Sequence, residues 1–299
     1  MSQGTNRHEI TIEKKPPEAE VFDVMGGSAR WEVKVHEYGL VALLDVMPRS
    51  APVGKTADFA IVQAARVSYG QGTKQINEDR GLIRYLARHR HTTPFEMVEF
   101  KFHHVMPIFV ARQWIRHRTA NVNEYSARYS VVKDRFYRPS VEGVRQQSKT
   151  NRQGGAQPAD ISTAEDFLRY LEETEQAQYA GYEKALDGGI ARELARIGLP
   201  LSVYTEWYWK IDLHNLFHFL SLRMDPHAQQ EIRDYANAMF SLIQPIVPIA
   251  AEAFLDYNLH AMHLSRLEVE ALRTGQPLAT DNKRELTEWE EKKNRLGIK

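Results

Sequence analysis

The sequence predicts an α+β fold, with a compact α/β-type core in which long helices pack on a small, mostly antiparallel sheet. Three observations lead to this prediction. Segments with helical apolar spacing are mixed along the chain with a few segments of strand character. Hydrophobic residues make up 42% and charged residues 26%, as in ordinary soluble globular proteins. A chain of 299 residues is also long enough to bury a substantial core.

Four elements are predicted in the first half of the chain. Thr56–Ser68 and Glu78–Arg88 have the apolar spacing of helices. Met97–Met106 alternates apolar and polar side chains, which is typical of a half-buried strand. Pro107 fits the first turn of a helix formed by PIFVARQWIRHR. The inward-facing residues of the strand are predicted to be Val98, Phe100 and Phe102.

A polar loop and a long helix are predicted next. Residues 144–159 are polar and rich in Gly and Gln, which favours a loop. Ser162-x-x-Glu165 has the spacing of a capping box, and the helix that it opens should end at Gly188-Gly189.

Three further elements are predicted after this helix. Ser202–Trp209 is β-branched and aromatic, which indicates a strand. Asp212–Leu222 has the pattern of a helix whose N-cap is Asp212. Another helix is predicted to start at Pro226 and to run to about Leu242.

Composition divides the chain into three predicted parts. Residues 1–36 are polar and contain Pro16-Pro17 and Gly26-Gly27, so we expect a flexible N-terminal extension. Residues 37–260 contain the elements above and form the expected folded domain. Residues 261–299 form a charged C-terminal tail, which is expected to be helical at 282–295.

Charge and cysteine content exclude several classes of function. Lys+Arg and Asp+Glu both number 39, so no overall charge directs the protein to nucleic acid or to an anionic membrane. The chain has no cysteine, which excludes disulfides, thiolate metal sites and a cysteine nucleophile. Neither a secretory signal nor a membrane span is recognisable, so we expect a cytoplasmic protein without nucleic-acid or membrane partners.

Basic residues are concentrated between Arg112 and Arg138. This segment has seven basic and two acidic residues, a local excess of five positive charges. Guanidinium groups donate paired hydrogen bonds to phosphate and carboxylate, so the cluster predicts an anion-binding site. The basic residues are Arg112, Arg116, Arg118, Arg128, Lys133, Arg135 and Arg138, and the acidic ones are Glu124 and Asp134.

Spacing groups some of these side chains. Gln113 and Arg116 lie three residues apart and should share a helix face. If 124–128 is extended, Glu124, Ser126 and Arg128 point to one side. That side would carry an acceptor, a hydroxyl and a cation, which suits a small polar ligand with a phosphate.

Residues 116–130, RHRTANVNEYSARYS, resemble the signature RHRxxSxNExSxRY of the flavin-dependent thymidylate synthases. Asn121 stands where the signature has Ser. Further segments similar to the family occur in family order, from about Gly39 to about Tyr257. They are HTTPFE, FVARQWIRHR, ARELARIGLPLSVYT, DLHNLFHFLSLR and DPHAQQEIRDYA.

The resemblance implies an enzyme that converts dUMP to dTMP with methylenetetrahydrofolate as carbon donor. NADPH would reduce a bound FAD, which supplies the hydride. It also implies a homotetramer with active sites shared between subunits, and it makes residues 37–260 the catalytic domain. The absence of cysteine agrees, because the other kind of thymidylate synthase attacks the pyrimidine with a thiolate.

Residue roles follow from the same resemblance. Arg223 matches an arginine that lies against the uracil and favours ionisation at N3, and it is the expected catalytic residue. The expected substrate-binding residues are Gln113, Trp114, Ile115, Arg116, Glu124, Tyr125, Ser126, Ala127, Arg128, Arg196 and Arg223. The expected FAD-binding residues are His91, Thr93, Arg116, His117, Arg118, Glu124, Asp212, Leu213, His214 and His218.

Other interpretations stay open on the residues alone. His214 and His218 have a metal-ligand spacing but lack the Glu of a zincin motif, so no metal is expected. Ser126 has no adjacent base that would make it a nucleophile. The Arg- and Tyr-containing segment 112–138 could hold RNA in a nucleic-acid-binding module, and a third alternative is a protein that keeps the fold without its chemistry.

Overall fold

A six-stranded antiparallel sheet organises the first part of the chain. The computed structural model describes residues 7–9, 19–24, 28–68, 79–148 and 154–298, and the chain separates into two units, Met1–Phe254 and Leu255–Lys299. The strands, numbered along the chain, are β1 (Arg7–Glu9), β2 (Ala19–Val24), β3 (Ser28–Val35), β4 (Gly39–Met47), β5 (Ser50–Pro52), β6 (Glu99–Pro107), β7 (Asn121–Glu124), β8 (Arg145–Gln147), β9 (Gly155–Pro158) and β10 (Tyr204–Asp212). The six-stranded sheet has the order β2-β3-β4-β6-β10-β7, and each neighbouring pair is antiparallel.

Some helices of this unit pack on the sheet. The helices are α1 (Asp58–Val67), α2 (Asp79–Arg88), α3 (Thr93–Glu96), α4 (Ile108–Trp114), α5 (Ile161–Asp187), α6 (Arg192–Ala195), α7 (Leu213–Arg223), α8 (Gln230–Ile243) and α9 (Pro248–Phe254), with 3₁₀ turns at Val141–Gly143 and Arg196–Gly198. α8 packs on β3 and β4, and α4 packs on β6 and β10. The predicted combination of helices and a mostly antiparallel sheet is therefore confirmed. The long helix α5 packs elsewhere, since its Tyr182 joins a buried cluster with Val132, Phe136 and Val203.

The centre of the core is aromatic. Phe100 and Phe102 of β6 are fully buried, as the predicted alternation required, and Trp209 of β10 lies opposite Phe102. Trp114 of α4 stacks on Phe219 of α7 with 4.8 Å between ring centroids. Large buried rings contribute strongly to stability, so this cluster fixes α4 and α7 against the sheet.

The helix ends confirm one predicted cap and correct another. Asp212 Oδ1 accepts the Asn215 backbone N–H at 2.9 Å, so the predicted N-cap of α7 is confirmed. The predicted capping box at Ser162 is wrong. Asp160 caps α5 instead, because it is still extended and its Oδ1 accepts the Thr163 N–H at 3.0 Å. α8 begins at Gln230 rather than Pro226, because a turn at 225–228 precedes it.

Two polar segments contain strands that their composition did not predict. Within residues 1–36, β3 pairs with β4, and the apolar alternation ending in the buried Val33 and Val35 explains why. Within 144–159, β8 pairs with β9 while all their residues stay exposed. Residues 1–6, 10–18, 25–27 and 149–153 of these segments lie outside the described residues, as does Glu78 of the predicted second helix.

A buried carboxylate joins α1 to the start of α9. Asp58 accepts the backbone N–H groups of Ile249 at 2.9 Å and Ala250 at 3.0 Å, and the Thr56 hydroxyl donates to it at 3.1 Å. Helix N-termini leave such N–H groups without intrahelical partners, so the side chain satisfies two donors that would otherwise be buried and unpaired.

Asp58→Ala is expected to lower the free energy of unfolding by about 2 kcal/mol, because two buried N–H groups lose their acceptor. Burial raises the pKa of Asp58 to about 6, above its ordinary 3.8. The Asp58 carboxyl group therefore binds a proton more tightly in the folded state than in the unfolded state. This difference stabilises the folded state at low pH, and the stabilisation is lost as pH rises through about 6. Urea unfolding at pH 5 and pH 8 should show the larger cost at pH 5.

Asp166→Ala is the control for this measurement. Asp166 is an exposed residue of α5 whose partner is Arg169, three residues away. Its removal should change the unfolding free energy by less than about 0.5 kcal/mol at either pH. Equal costs for the two variants would contradict the role given to Asp58.

The second unit is a small helical one. It contains a π-helical turn at Leu255–Leu259 and the helices α10 (Arg266–Thr274) and α11 (Lys283–Leu296). Its core consists of Ala271, Leu278 and Trp289. The helix expected at 282–295 is present as α11, while the expected domain limits at 36/37 and 260/261 stay predictions. No helix among the described residues has the length and apolar character needed to cross a membrane.

Candidate active site

A cleft of about 360 Å³ lies where the chain leaves α4 and meets α7. α4 ends at Trp114 and a turn follows, so the three residues Arg116, His117 and Arg118 come off the helix toward α7. Small-molecule pockets have volumes of ~300–1,000 Å³, so the cleft is large enough for a ligand. It is lined by Arg116, His117, Arg118, Thr119, Ile211, Asn215, His218, Leu222 and Arg223.

His117 and Arg223 are hydrogen-bonded at the wall of this cleft. Arg223 Nε donates to His117 Nε2 at 3.1 Å. Burial, together with the nearby Arg223 and His218, lowers the pKa of His117 to about 4. His117 is therefore neutral near pH 7 and accepts the bond. Burial also lowers the pKa of Arg223, which nevertheless stays protonated.

Among the described residues, the positive charges of the cleft have no acidic partners. In the part of the chain that the structure describes, Arg116, Arg118 and Arg223 form no ion pair with a carboxylate. Neighbouring cations repel one another, and apart from the Arg223 Nε–H that His117 accepts, their donors are available to a ligand. The electrostatics therefore suit a phosphate or another anion, as the basic cluster predicted.

The other basic residues of 112–138 are used differently. Arg138 is bound to Glu172 and Glu175. Arg128 pairs with Glu193 at 3.0 Å, and Arg135 lies over the Tyr38 ring. Only part of the cluster thus contributes to the cleft.

Residues 124–128 are not extended throughout, so the condition under which Glu124, Ser126 and Arg128 would share one side is not met. β7 ends at Glu124, and a turn at 127–129 follows, closed by the Arg128 N–H donating to Ser126 Oγ at 3.3 Å. Glu124 instead accepts from the Thr205 hydroxyl at 2.7 Å. Tyr125 donates its hydroxyl to the Val131 carbonyl at 2.7 Å. Ser126 and Arg128 therefore belong to a turn, and the described residues show no base beside the Ser126 hydroxyl.

Several expected ligand-binding side chains lie in the core or at other positions. Trp114 and Leu213 are completely buried, so only their backbone could contact a ligand. Ala127 packs against the cluster around Val132. Ile115 is exposed, and Gln113 donates to Gln229.

The remaining expected flavin-binding residues lie near the ends of α2, α3 and α7. His91 has its ring 6.0 Å from the Tyr85 ring, and Thr93 begins α3. Asp212 uses its carboxylate to cap α7, on which His214 and His218 are four residues apart.

No group of three or more His, Cys, Asp or Glu side chains in the described ranges is arranged to hold a metal ion.

Some of the predicted residues form two separate groups in one chain. Arg116, His117, Arg118, His218 and Arg223 line the cleft, whereas the Ser126–Arg128 turn and Arg196 lie beside α6. Within the described ranges, no hydrogen bond or ion pair joins the two groups.

Sequence reasoning missed Thr119, Ile211, Asn215 and Leu222 as cleft residues. Asn215 lies three residues before His218, and Leu222 lies four residues after it. Both therefore share the face of α7 that carries His218. Helical spacing from His218 could have identified both.

Comparison with known proteins identifies the family. A family model described as "Thymidylate synthase complementing protein" matches residues 51–249, more than half of the chain. A flavin-dependent thymidylate synthase of Dictyostelium discoideum is 67% identical over 98% of this chain and 96% of its own length. The chain belongs to the flavin-dependent thymidylate synthase family. The family resemblance of residues 116–130 and the expectation of an enzyme are thereby confirmed.

Two further comparisons show how far the similarity extends. A flavin-dependent thymidylate synthase of Wolbachia pipientis wMel is 53% identical over 81% of this chain and 82% of its own. The crystal structure of the UMP/dUMP methylase PolB from Streptomyces cacaoi, bound with 5-Br dUMP, is similar with a TM-score of 0.65 and 34% identity. That similarity covers 76% of this chain and 99% of PolB.

Proposed function

We propose that this flavin-dependent thymidylate synthase family member methylates dUMP to dTMP in deoxyribonucleotide synthesis. Methylenetetrahydrofolate is the carbon donor, FAD is the cofactor and NADPH is the reductant. The observation that carries the proposal is the cleft, in which Arg116, Arg118 and Arg223 face a ligand-sized space without acidic partners among the described residues. The similar PolB structure was crystallised with a uracil nucleotide, which supports the same substrate class here.

The chemistry of the cleft fits a flavin dinucleotide. Arg116 and Arg118 offer charged donors for a diphosphate, and Asn215 offers an amide. His117 and His218 add rings whose centroids are 5.9 Å apart. When bound, reduced flavin supplies a hydride, which removes the need for a thiolate nucleophile in a chain without cysteine.

Arg223 acts on the uracil ring in this proposal. A cation placed ~4 Å from a developing anion gains ~4 kcal/mol at an effective dielectric constant of ~20. That energy corresponds to about three pKa units, enough to favour ionisation at N3. Because no carboxylate among the described residues neutralises Arg223, its charge is directed to the substrate.

The proposed assembly is a homotetramer with shared active sites. Its support is the separation of the expected nucleotide residues into the cleft and the turn beside α6. A second subunit that brings its Ser126–Arg128 turn and Arg196 to the cleft would complete the anion site with further donors.

Mixing two inactive variants tests this sharing. Arg128→Ala and Arg223→Ala should each form little dTMP alone, whereas subunits unfolded together and refolded as a mixture should regain activity. Recovery is expected because some sites then combine an intact Arg128 with an intact Arg223. A mixture as inactive as its components would show that each site uses one chain.

An anaerobic assay tests the function itself. The purified protein is supplied with dUMP, methylenetetrahydrofolate, FAD and NADPH, and dTMP is measured by mass. We expect a flavin absorbance spectrum and dTMP that depends on all four compounds. A protein that stays colourless after FAD is added, and forms no dTMP, would overturn the proposal.

A further inference from the structure

The contact between Arg223 and His117 joins positions 106 residues apart at the cleft wall. The guanidinium uses its Nε–H for this bond, so its two terminal nitrogens stay available to a ligand. An imidazole, rather than a carboxylate, is the hydrogen-bonding partner of Arg223 within the described residues. A neutral partner fixes the direction of the guanidinium without cancelling its charge.

The bond requires one protonation state of His117. An imidazole that accepts at Nε2 carries its proton on Nδ1, and a doubly protonated ring could not accept at all. The charged and titratable groups around the ring are Arg223 and His218 from α7 and Arg116 and Arg118 from its own segment. Arg223 and His218 disfavour a second proton on the ring when they are charged, so the ring stays an acceptor.

Packing holds the imidazole ring independently of Arg223. The His117 ring meets the Phe219 ring edge-to-face with 4.9 Å between centroids. Phe219 in turn stacks on Trp114 in the aromatic core. The acceptor is thus anchored to a rigid part of the fold, and Arg223, at the last turn of α7, is oriented by it.

We propose that His117 is a positioning residue, whose Nε2 holds the Arg223 guanidinium in the direction that the uracil nucleotide requires. This inference rests on the function proposed above and gives His117 a role that is separate from flavin contact. It predicts that catalysis depends on a neutral acceptor at position 117 more than on the ring itself.

Two variants separate the acceptor from the ring. His117→Phe keeps an aromatic ring against Phe219 but removes the acceptor, and His117→Gln supplies an amide oxygen without the ring. At saturating FAD, His117→Phe should lower kcat for dTMP formation roughly tenfold to a hundredfold, as expected for a lost hydrogen bond to a charged group. His117→Gln should recover most of that loss.

Two further readouts do not depend on turnover. The FAD dissociation constant of His117→Phe should stay within about threefold of the wild-type value. Its urea unfolding midpoint should not change beyond experimental error, since a half-buried imidazole is replaced by an apolar ring. Nitrogen-15 spectra of histidine-labelled wild type, with His117 assigned from its absence in His117→Gln, should show the proton on Nδ1. In Arg223→Ala the Nε2 resonance should shift.

The inference would be overturned by a proton on Nε2 of His117, or by wild-type turnover in His117→Phe. It would also be overturned if the turnover loss of His117→Phe were no larger than the loss of FAD affinity of that variant. A His117→Gln variant that turns over no faster than His117→Phe would overturn it as well. A wild-type protein that forms no dTMP would instead refute the proposed function, so the two failures are distinguishable.

Discussion

Arg223→Ala is expected to bind flavin but to form dTMP roughly 100 to 1,000 times more slowly than the wild type. The reason is electrostatic, since the proposed contribution of ~4 kcal/mol to a developing uracil anion corresponds to about three powers of ten in rate. Flavin should remain because Arg116, Arg118 and Asn215 still line the cleft. The measurements are the flavin spectrum of the variant and its rate of dTMP formation by mass.

Two variants control for the loss of charge. Arg223→Lys keeps a cation but lacks the Nε–H that His117 accepts, so it should recover only part of the rate. Arg273→Ala removes an arginine from the second unit, where its partner is Glu270, and should leave the rate unchanged. Near-normal turnover of Arg223→Ala would refute the role of this residue.

Arg138→Ala is expected to cause a large loss of stability, about 3 kcal/mol in the free energy of unfolding. Arg138 Nε donates to Glu175 at 2.7 Å, and only 2% of the Glu175 side chain is exposed. Removing the guanidinium leaves a buried carboxylate whose remaining partner is the Ser202 hydroxyl at 2.6 Å. Because Glu175 lies in the middle of α5, the helix should loosen from the 132–136 segment. Urea unfolding followed by circular dichroism measures the cost.

Glu172 supplies the matched control. It binds the same guanidinium at 3.0 Å, but 52% of its side chain is exposed. Glu172→Ala should therefore cost less than about 1 kcal/mol. The double variant Arg138→Met with Glu175→Leu should regain much of the loss, because neither charge is then buried. If Glu172→Ala and Arg138→Ala were equally destabilising, burial would not be the cause.

Local signals in the sequence were sufficient for much of the fold. The strand around Phe100 and the helix capped by Asp212 depend on side-chain alternation and on one capping contact, both within a few residues. The cap of α5 shows the limit of such signals. Asp160 and Ser162 are both good capping residues, and the backbone direction before the helix decides between them.

The parts that sequence reasoning missed depend on distant contacts. β3 becomes a strand because Val33 and Val35 find a buried face beside β4, which outweighs the polar composition around them. The turn after Tyr125 also has distant partners in α6, since Arg128 pairs with Glu193 at 3.0 Å and Arg192 Nη1 donates to the Tyr129 carbonyl at 3.1 Å. A spacing rule cannot reveal such partners.

The candidate site divides in the same way. The signature located Arg116, His117 and Arg118, and family similarity located Arg223. The bond that joins His117 to Arg223 spans more than a hundred residues, so only the folded chain reveals it. Burial of Trp114 and Leu213 was likewise hidden, because the sequence does not state which side of α4 or α7 meets the sheet.

The position of β7 bears on aggregation. β7 is an edge strand of the six-stranded sheet, and all four of its residues are exposed. A long edge strand exposes a row of unpaired backbone N–H and C=O groups with which strands of other protein chains can pair and form fibrils. β7 is too short to offer such a template, since the turn after Glu124 ends it. The signature segment can therefore stay open to solvent without seeding cross-β growth.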